Sequence, residues 1–131
     1  MAFRDLIERP NEYDGRRVSV NATYAYGFEW QEMYCMKCRG GGKTWLELPP
    51  TGTRAMRRAL RKVPKWQGTL NARFKGVFHA KSGAFGDGGY RFQFVLEAVT
   101  DVNIISRSGG APESLTKAER ARLCQGDKLG C

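Results

Sequence analysis

Residues 16–26, RRVSVNATYAY, alternate with a period of two. Val18, Val20, Ala22, Tyr24 and Tyr26 fall on one side, and Arg17, Ser19, Asn21 and Thr23 on the other. An extended strand places every second side chain on the same face, so this stretch predicts a half-buried β-strand. The pattern recurs in residues 68–80, where Leu70, Ala72, Phe74 and Phe78 oppose Asn71, Arg73, Lys75 and His79. It recurs again in residues 90–105, where Tyr90, Phe92, Phe94 and Leu96 share a face. Two shorter runs, FEWQEMY (28–34) and TWLEL (44–48), predict the second and third strands.

One helical stretch interrupts the strands. Residues 53–63 carry Ala55, Met56, Ala59, Leu60 and Val63 on one side of a helical wheel, with Arg54, Arg57, Arg58, Arg61 and Lys62 opposite. Thr53 is placed to cap it and Pro64 to end it. At the start of the chain, Phe3, Leu6 and Ile7 predict a short helix that stops at Pro10, followed by a turn, NEYDG. Near the other end, Thr116 and Glu119 form a capping-box pair for a final helix, and Gly126 lies beyond it. Five strands with one helix between the third and fourth is the order of an OB-fold, a five-stranded Greek-key barrel. Gly27 permits a sharp bend of the long first strand, as barrel corners require, or a tight turn at its end. An SH3-like or other small barrel with an inserted helix is the alternative. The expected division is a barrel over residues 1–106, then a linker, helix and Cys-bearing tail over 107–131 packing on it.

The chain has 131 residues and a formal charge of +9. Between Glu47 and Asp87 there is no acidic residue, whereas Arg54, Arg57, Arg58, Arg61, Lys62, Lys65, Arg73, Lys75 and Lys81 all lie there. Such concentrated charge suits a polyanionic partner: nucleic acid, acidic glycan or anionic headgroups. It equally suits a solvated cationic face. No stretch has the apolar length of a membrane span. MAFRDLIERP places charges where the apolar core of a signal peptide would lie.

The four cysteines are the most specific chemical feature. Cys35 and Cys38 have knuckle spacing and are followed by Arg39 and Gly40; Cys124 and Cys131 stand six residues apart near the end. Together they can form a four-cysteine zinc site, although paired zinc ligands usually stand closer than the second pair. They can equally form two disulfides, for which three pairings exist. A redox pair would need a helix start within a βαβ unit, which this pattern lacks.

Catalysis finds little support. The only histidine, His79, lies on a strand with no nucleophile placed beside it. Glu29 and Glu32 have opposite parities. Gly83, Gly86, Gly88 and Gly89 lack the following helix that a dinucleotide site needs, and read as a flexible hairpin bordering the groove. Single-stranded nucleic acid would need exposed aromatics among cations. Trp30, Tyr34 and Trp45 are the candidates, with Lys43, Arg73 and Lys75 expected to line the same groove.

LIERPNEYDGRRVSV, GFEWQEMYC, TWLEL and FHAKSGAFGDGGYRFQF together resemble small bacterial OB-like domains, often exported, over roughly residues 3–105. The resemblance implies the barrel and an extracytoplasmic location, with the leader no longer attached, but it implies no activity. Outside the cytosol the cysteines would form disulfides. The expectation is a non-catalytic binding or accessory module for a protein or polyanion, without a cofactor. The alternative is a cytosolic single-stranded nucleic-acid-binding protein with one structural zinc.

Overall fold

The computed structural model describes residues 1–27, 30–35, 38–49, 54, 58–59, 61, 63–81, 84–86, 88–107 and 115–123, with Trp30 and Arg39 described through their backbones. The protein is mainly β. Five strands, β1 (Arg17–Gly27), β2 (Trp30–Tyr34), β3 (Thr44–Glu47), β4 (Gly68–His79) and β5 (Phe92–Ser106), form a closed barrel in the order β1-β2-β3-β5-β4. Among the described residues three short α-helices accompany them: α1 (Phe3–Glu8), α2 (Pro10–Tyr13) and α3 (Lys117–Leu123). All ladders are antiparallel except β3–β5, which is parallel. A parallel pair cannot be joined by a tight turn. Here the chain leaves β3 at Glu47, re-enters the sheet as β4 at Gly68, antiparallel to β5, and only then reaches β5.

The alternation sets the interior. Val20, Ala22, Met33, Leu46, Leu70, Phe74, Phe78, Phe94 and Leu96 fill the barrel, and Phe3 and Leu6 of α1 join them from outside the sheet. The outward face is not uniformly wet. Ala25, Tyr34 and Ile105 point away from the barrel yet are buried, because Leu115 and Leu123 cover them. Beside this cluster, buried Thr23 donates from Oγ1 to Asn71 Oδ1 at 2.8 Å. The capping box of α3 forms: the Thr116 amide donates to Glu119 Oε1 at 2.8 Å, and the Glu119 amide to Thr116 Oγ1 at 3.1 Å. Arg122 donates to the Ile104 carbonyl at 2.9 Å, tying the helix to β5.

Two expectations need correction. Pro10 ends α1 but also opens α2, so Asn11, Glu12 and Tyr13 are helical and the turn begins at Asp14. Proline suits a first helical position because its missing N–H would lack an intrahelical partner there. Gly27 closes β1 and pairs with Trp30 at the start of β2, so it stands at the turn between the strands rather than at a bend within β1. Curvature instead comes from three irregularities in the β4–β5 ladder. Asp101 adopts a φ of 55° within β5, a left-handed conformation that Asp tolerates better than most residues. The helix expected over 53–63 falls largely outside the described residues. Arg54, Arg58 and Ala59 have helical backbone, and Ala59 and Val63 pack against the core.

At one irregularity, a Cβ on Gly76 would lie 2.1 Å from the Val95 carbonyl oxygen and 2.8 Å from the Phe94 ring. Neither neighbour can retreat without breaking the ladder. Gly76→Ala is therefore expected to cost about 3 kcal/mol, the upper end of the usual overpacking range, seen as a lower urea midpoint; an unchanged midpoint contradicts this packing.

Asp14 anchors the far end of β4. Its Oδ1 accepts from the Ala80 amide at 2.6 Å and the Lys81 amide at 3.2 Å. The Ala80 hydrogen bond is the main reason its pKa lies below the ordinary carboxylate value. A carboxyl with a depressed folded pKa contributes stability above its unfolded pKa and loses it as pH falls through the folded one. Acidification from about pH 4 downward should therefore destabilise the wild type more than Asp14→Asn, measured by thermal midpoints at each pH.

Candidate binding surface

The β2–β3 connection is built from three consecutive left-handed glycines. Gly40, Gly41 and Gly42 have φ values of 68°, 75° and 61°, a run that side chains with a Cβ strongly resist. The backbone closes on itself: Cys35 N–H donates to Gly41 O (2.8 Å), Cys38 N–H to Cys35 O (3.1 Å), and Gly41 N–H to Cys38 O (3.0 Å). Thr44 then donates from Oγ1 to Gly42 O at 2.9 Å, leading into β3. Cys35 and Cys38 are paired as a disulfide with Cα atoms 5.2 Å apart. Among the described residues no cluster of three metal-ligating side chains occurs. Cys124 and Cys131, needed for a four-cysteine zinc site, lie outside the described residues.

A groove of about 730 Å³ runs beside this turn, between α1 and the start of β5. Ile7, Glu8, Cys38, Gly42, Lys43 and Arg91 are among its walls. Gly42 fits because a Cβ there would come within 3.0 Å of Ile7. Lys43 and Arg91 are exposed, so the groove has two cations and one carboxylate. Glu8 is itself held by Arg4 at 3.8 Å.

Nearby, on the outward face of β3, Trp45 lies half-buried. Its indole N–H donates to Glu47 Oε2 at 2.8 Å, and its ring lies 5.4 Å from that of Tyr90. The Tyr90 hydroxyl donates to Glu32 Oε2 at 3.3 Å. The loop before β5 is folded tightly onto this pair. Phe85 N–H donates to Tyr90 O at 2.9 Å, and Gly88 N–H to Phe85 O at 3.0 Å. Gly86, at φ 64°, sits so close that a Cβ would lie 2.5 Å from the Trp45 ring. The glycine-rich loop is thus a lid on Trp45 among its described residues.

The expected site residues separate. Lys43 and Trp45 share the β2–β3 region, and the Trp30 backbone opens β2 opposite Gly27. Tyr34 is not available for stacking: it is 2 % exposed beneath Leu115 and Leu123. Arg73 and Lys75 are exposed, but they stand on the outer face of β4, paired with Asn21 and Ser19 of β1. The barrel order puts β5 on one side of β4 and β1 on the other, so these two cations cannot line a β2–β3 groove. Arg73 donates to Asn21 Oδ1 at 3.4 Å, and nearby Arg17 binds both Glu97 oxygens at 2.9 and 3.0 Å. Arg54, Arg58 and Arg61 are exposed; Arg57 and Lys62 lie outside the described residues. His79 faces Gln93 at the end of β4.

Gly86 belongs to the loop expected to border the groove, whereas Tyr90 and Arg91 were not expected here. Tyr90 continues the inward parity of Phe92 in sequence, but it precedes the strand and bridges to Phe85, which turns it outward onto Trp45. The adjacent aromatic and arginine were the available signal. No family model, curated protein or solved structure matches the chain.

Because Gly86 packs on the indole, Gly86→Val should displace the loop and expose Trp45. With Trp30 and Trp66 replaced by Phe, the remaining emission is expected to shift to the red and become more accessible to acrylamide. Unchanged emission would show that the loop does not cover Trp45.

Proposed function

We propose that the chain is a non-catalytic binding module of the bacterial envelope or exterior, an OB-type barrel that recognises a polyanionic partner through its β2–β3 face. The observation that carries this reading is the groove between Lys43 and Arg91 beside the Trp45–Tyr90 pair. Cations there attract phosphate, sulfate or carboxylate groups, while the aromatic pair offers a surface for sugar rings or bases. The strand order β1-β2-β3-β5-β4 with a parallel β3–β5 pair supports the OB-type assignment. The Cys35–Cys38 pairing supports an oxidising compartment, where disulfides persist.

The Trp45–Tyr90 pair favours one further reading, single-stranded nucleic acid as the polyanion of a cytosolic protein with a structural zinc. The cysteine pairing counts against the zinc.

Heparin and a single-stranded oligonucleotide are titrated into the protein across a salt series. Binding is expected to weaken steeply with salt, as it does when cations release counterions. Lys43→Glu with Arg91→Glu should cost about tenfold, equivalent to roughly 1.4 kcal/mol, whereas Arg73→Glu with Lys75→Glu should cost much less. Absence of binding to either polymer at low salt overturns the proposal. Four free thiols with one equivalent of zinc would move the protein to the cytosolic reading.

A further inference from the structure

A second cavity lies at the other end of β3. It measures about 460 Å³, within the ~300–1,000 Å³ range of small-molecule sites. Its walls are inward-facing side chains from four strands: Tyr24 of β1, Leu46 of β3, Leu70 and Phe74 of β4, and Leu96 of β5. Tyr24 and Tyr26 stack with centroids 5.3 Å apart, and the edge of Phe74 meets Tyr24 at 6.2 Å.

The polar donors in this wall are already committed. The Tyr24 hydroxyl donates to Gln31 Oε1, Gln31 Nε2 donates to Leu46 O at 2.9 Å, and the Tyr26 hydroxyl donates to Pro64 O. Burial raises the pKa of Tyr24, and that of Tyr26 to about 12, so both keep their protons at neutral pH. What the cavity offers an occupant is therefore apolar surface. Its rim is different. Arg61 and Lys65 line it, both exposed, and neither is ion-paired among the described residues. The sequence has no carboxylate from residue 48 to residue 86 to neutralise them. Leu48 on the same rim is 46 % exposed, and Trp66, with the Lys65 ammonium 5.6 Å from its ring centre, is 74 % exposed.

We propose that this end of the barrel is a binding pocket for an anionic amphiphile, whose apolar body enters between Tyr24, Leu46 and Phe74 while its carboxylate or phosphate head meets Arg61 and Lys65. The apolar wall gains by losing water, and the rim cations gain a counter-charge that the neighbouring sequence does not supply. The pocket is distinct from the Lys43–Arg91 groove, which lies before β3 rather than after it.

The test uses the full chain and laurate below its micelle concentration, followed by calorimetry and Trp fluorescence. Dodecyl maltoside, also below its micelle concentration, serves as the neutral control, and phosphatidylglycerol vesicles represent the membrane source. Saturable one-to-one laurate binding is expected, with little maltoside binding. Arg61→Glu with Lys65→Glu should weaken laurate by about tenfold or more without altering the thermal midpoint. Val63→Trp should block the cavity. Lys43→Glu with Arg91→Glu should leave laurate binding intact, so failure here and failure of the polyanion reading are separable. Laurate binding alone means a free ligand, and binding to both laurate and vesicles means one drawn from a membrane; both support the pocket. Vesicle binding without laurate binding overturns it in favour of surface docking. No laurate binding, or binding insensitive to charge reversal, also overturns it.

Discussion

The barrel depends on how β4 and β5 bend together. These two long strands pair along most of their length, and three register irregularities let them curve enough to meet β1 on one side and β3 on the other. Gly76 makes the tightest approach of that ladder, with its α-carbon facing the Val95 carbonyl where no side chain fits. Every strand has a neighbour on both sides, β2 and β3 meeting through the pair Met33–Thr44, which leaves recognition to faces, loops and the barrel ends. Both candidate sites follow from this. One uses the turn that enters β3 and the loop that enters β5; the other uses the mouth that β3 leaves behind.

Charge and aromatic surface divide along the same lines. The outward face of β4 presents Arg73 and Lys75 among polar neighbours, a solvated cationic face with little apolar area beside it. The β2–β3 face has fewer cations but sets Lys43 and Arg91 near Trp45 and Tyr90. The far end sets Arg61 and Lys65 against an apolar cavity. Among the described residues, the Lys43–Arg91 and Arg61–Lys65 pairs each line a concave surface.

Much of the barrel was legible because its strands alternate cleanly. The inward sets of β1, β4 and β5 are the sets that period two selects, and the capping pair Thr116–Glu119 stands where its spacing places it. Parity tells which side of a sheet a residue occupies, but not whether something covers that side. Tyr34 faces outward and is nevertheless buried, because Leu115 and Leu123, some eighty residues later, fold over it. Arg73 and Lys75 face outward as expected, yet strand order decides what they stand beside, and order is a property of long-range pairing. Tyr90 shows the converse: it stands before Arg91 and the start of β5 at Phe92, parity no longer applies there, and a bridge to Phe85 turns the ring to the opposite face. The cysteine question narrows for the same reason. Turn hydrogen bonds bring Cys35 and Cys38 together locally, without help from the rest of the chain.

The proposed function places recognition on the β2–β3 face rather than on the exposed cations of β4. Backbone amide shifts of the isotopically labelled protein, titrated with a short heparin oligosaccharide, test it most directly. The account predicts perturbations concentrated at Gly42, Lys43, Trp45, Tyr90 and Arg91, with Ser19, Arg73 and Lys75 unmoved. Perturbations centred on Arg73 and Lys75 would contradict it.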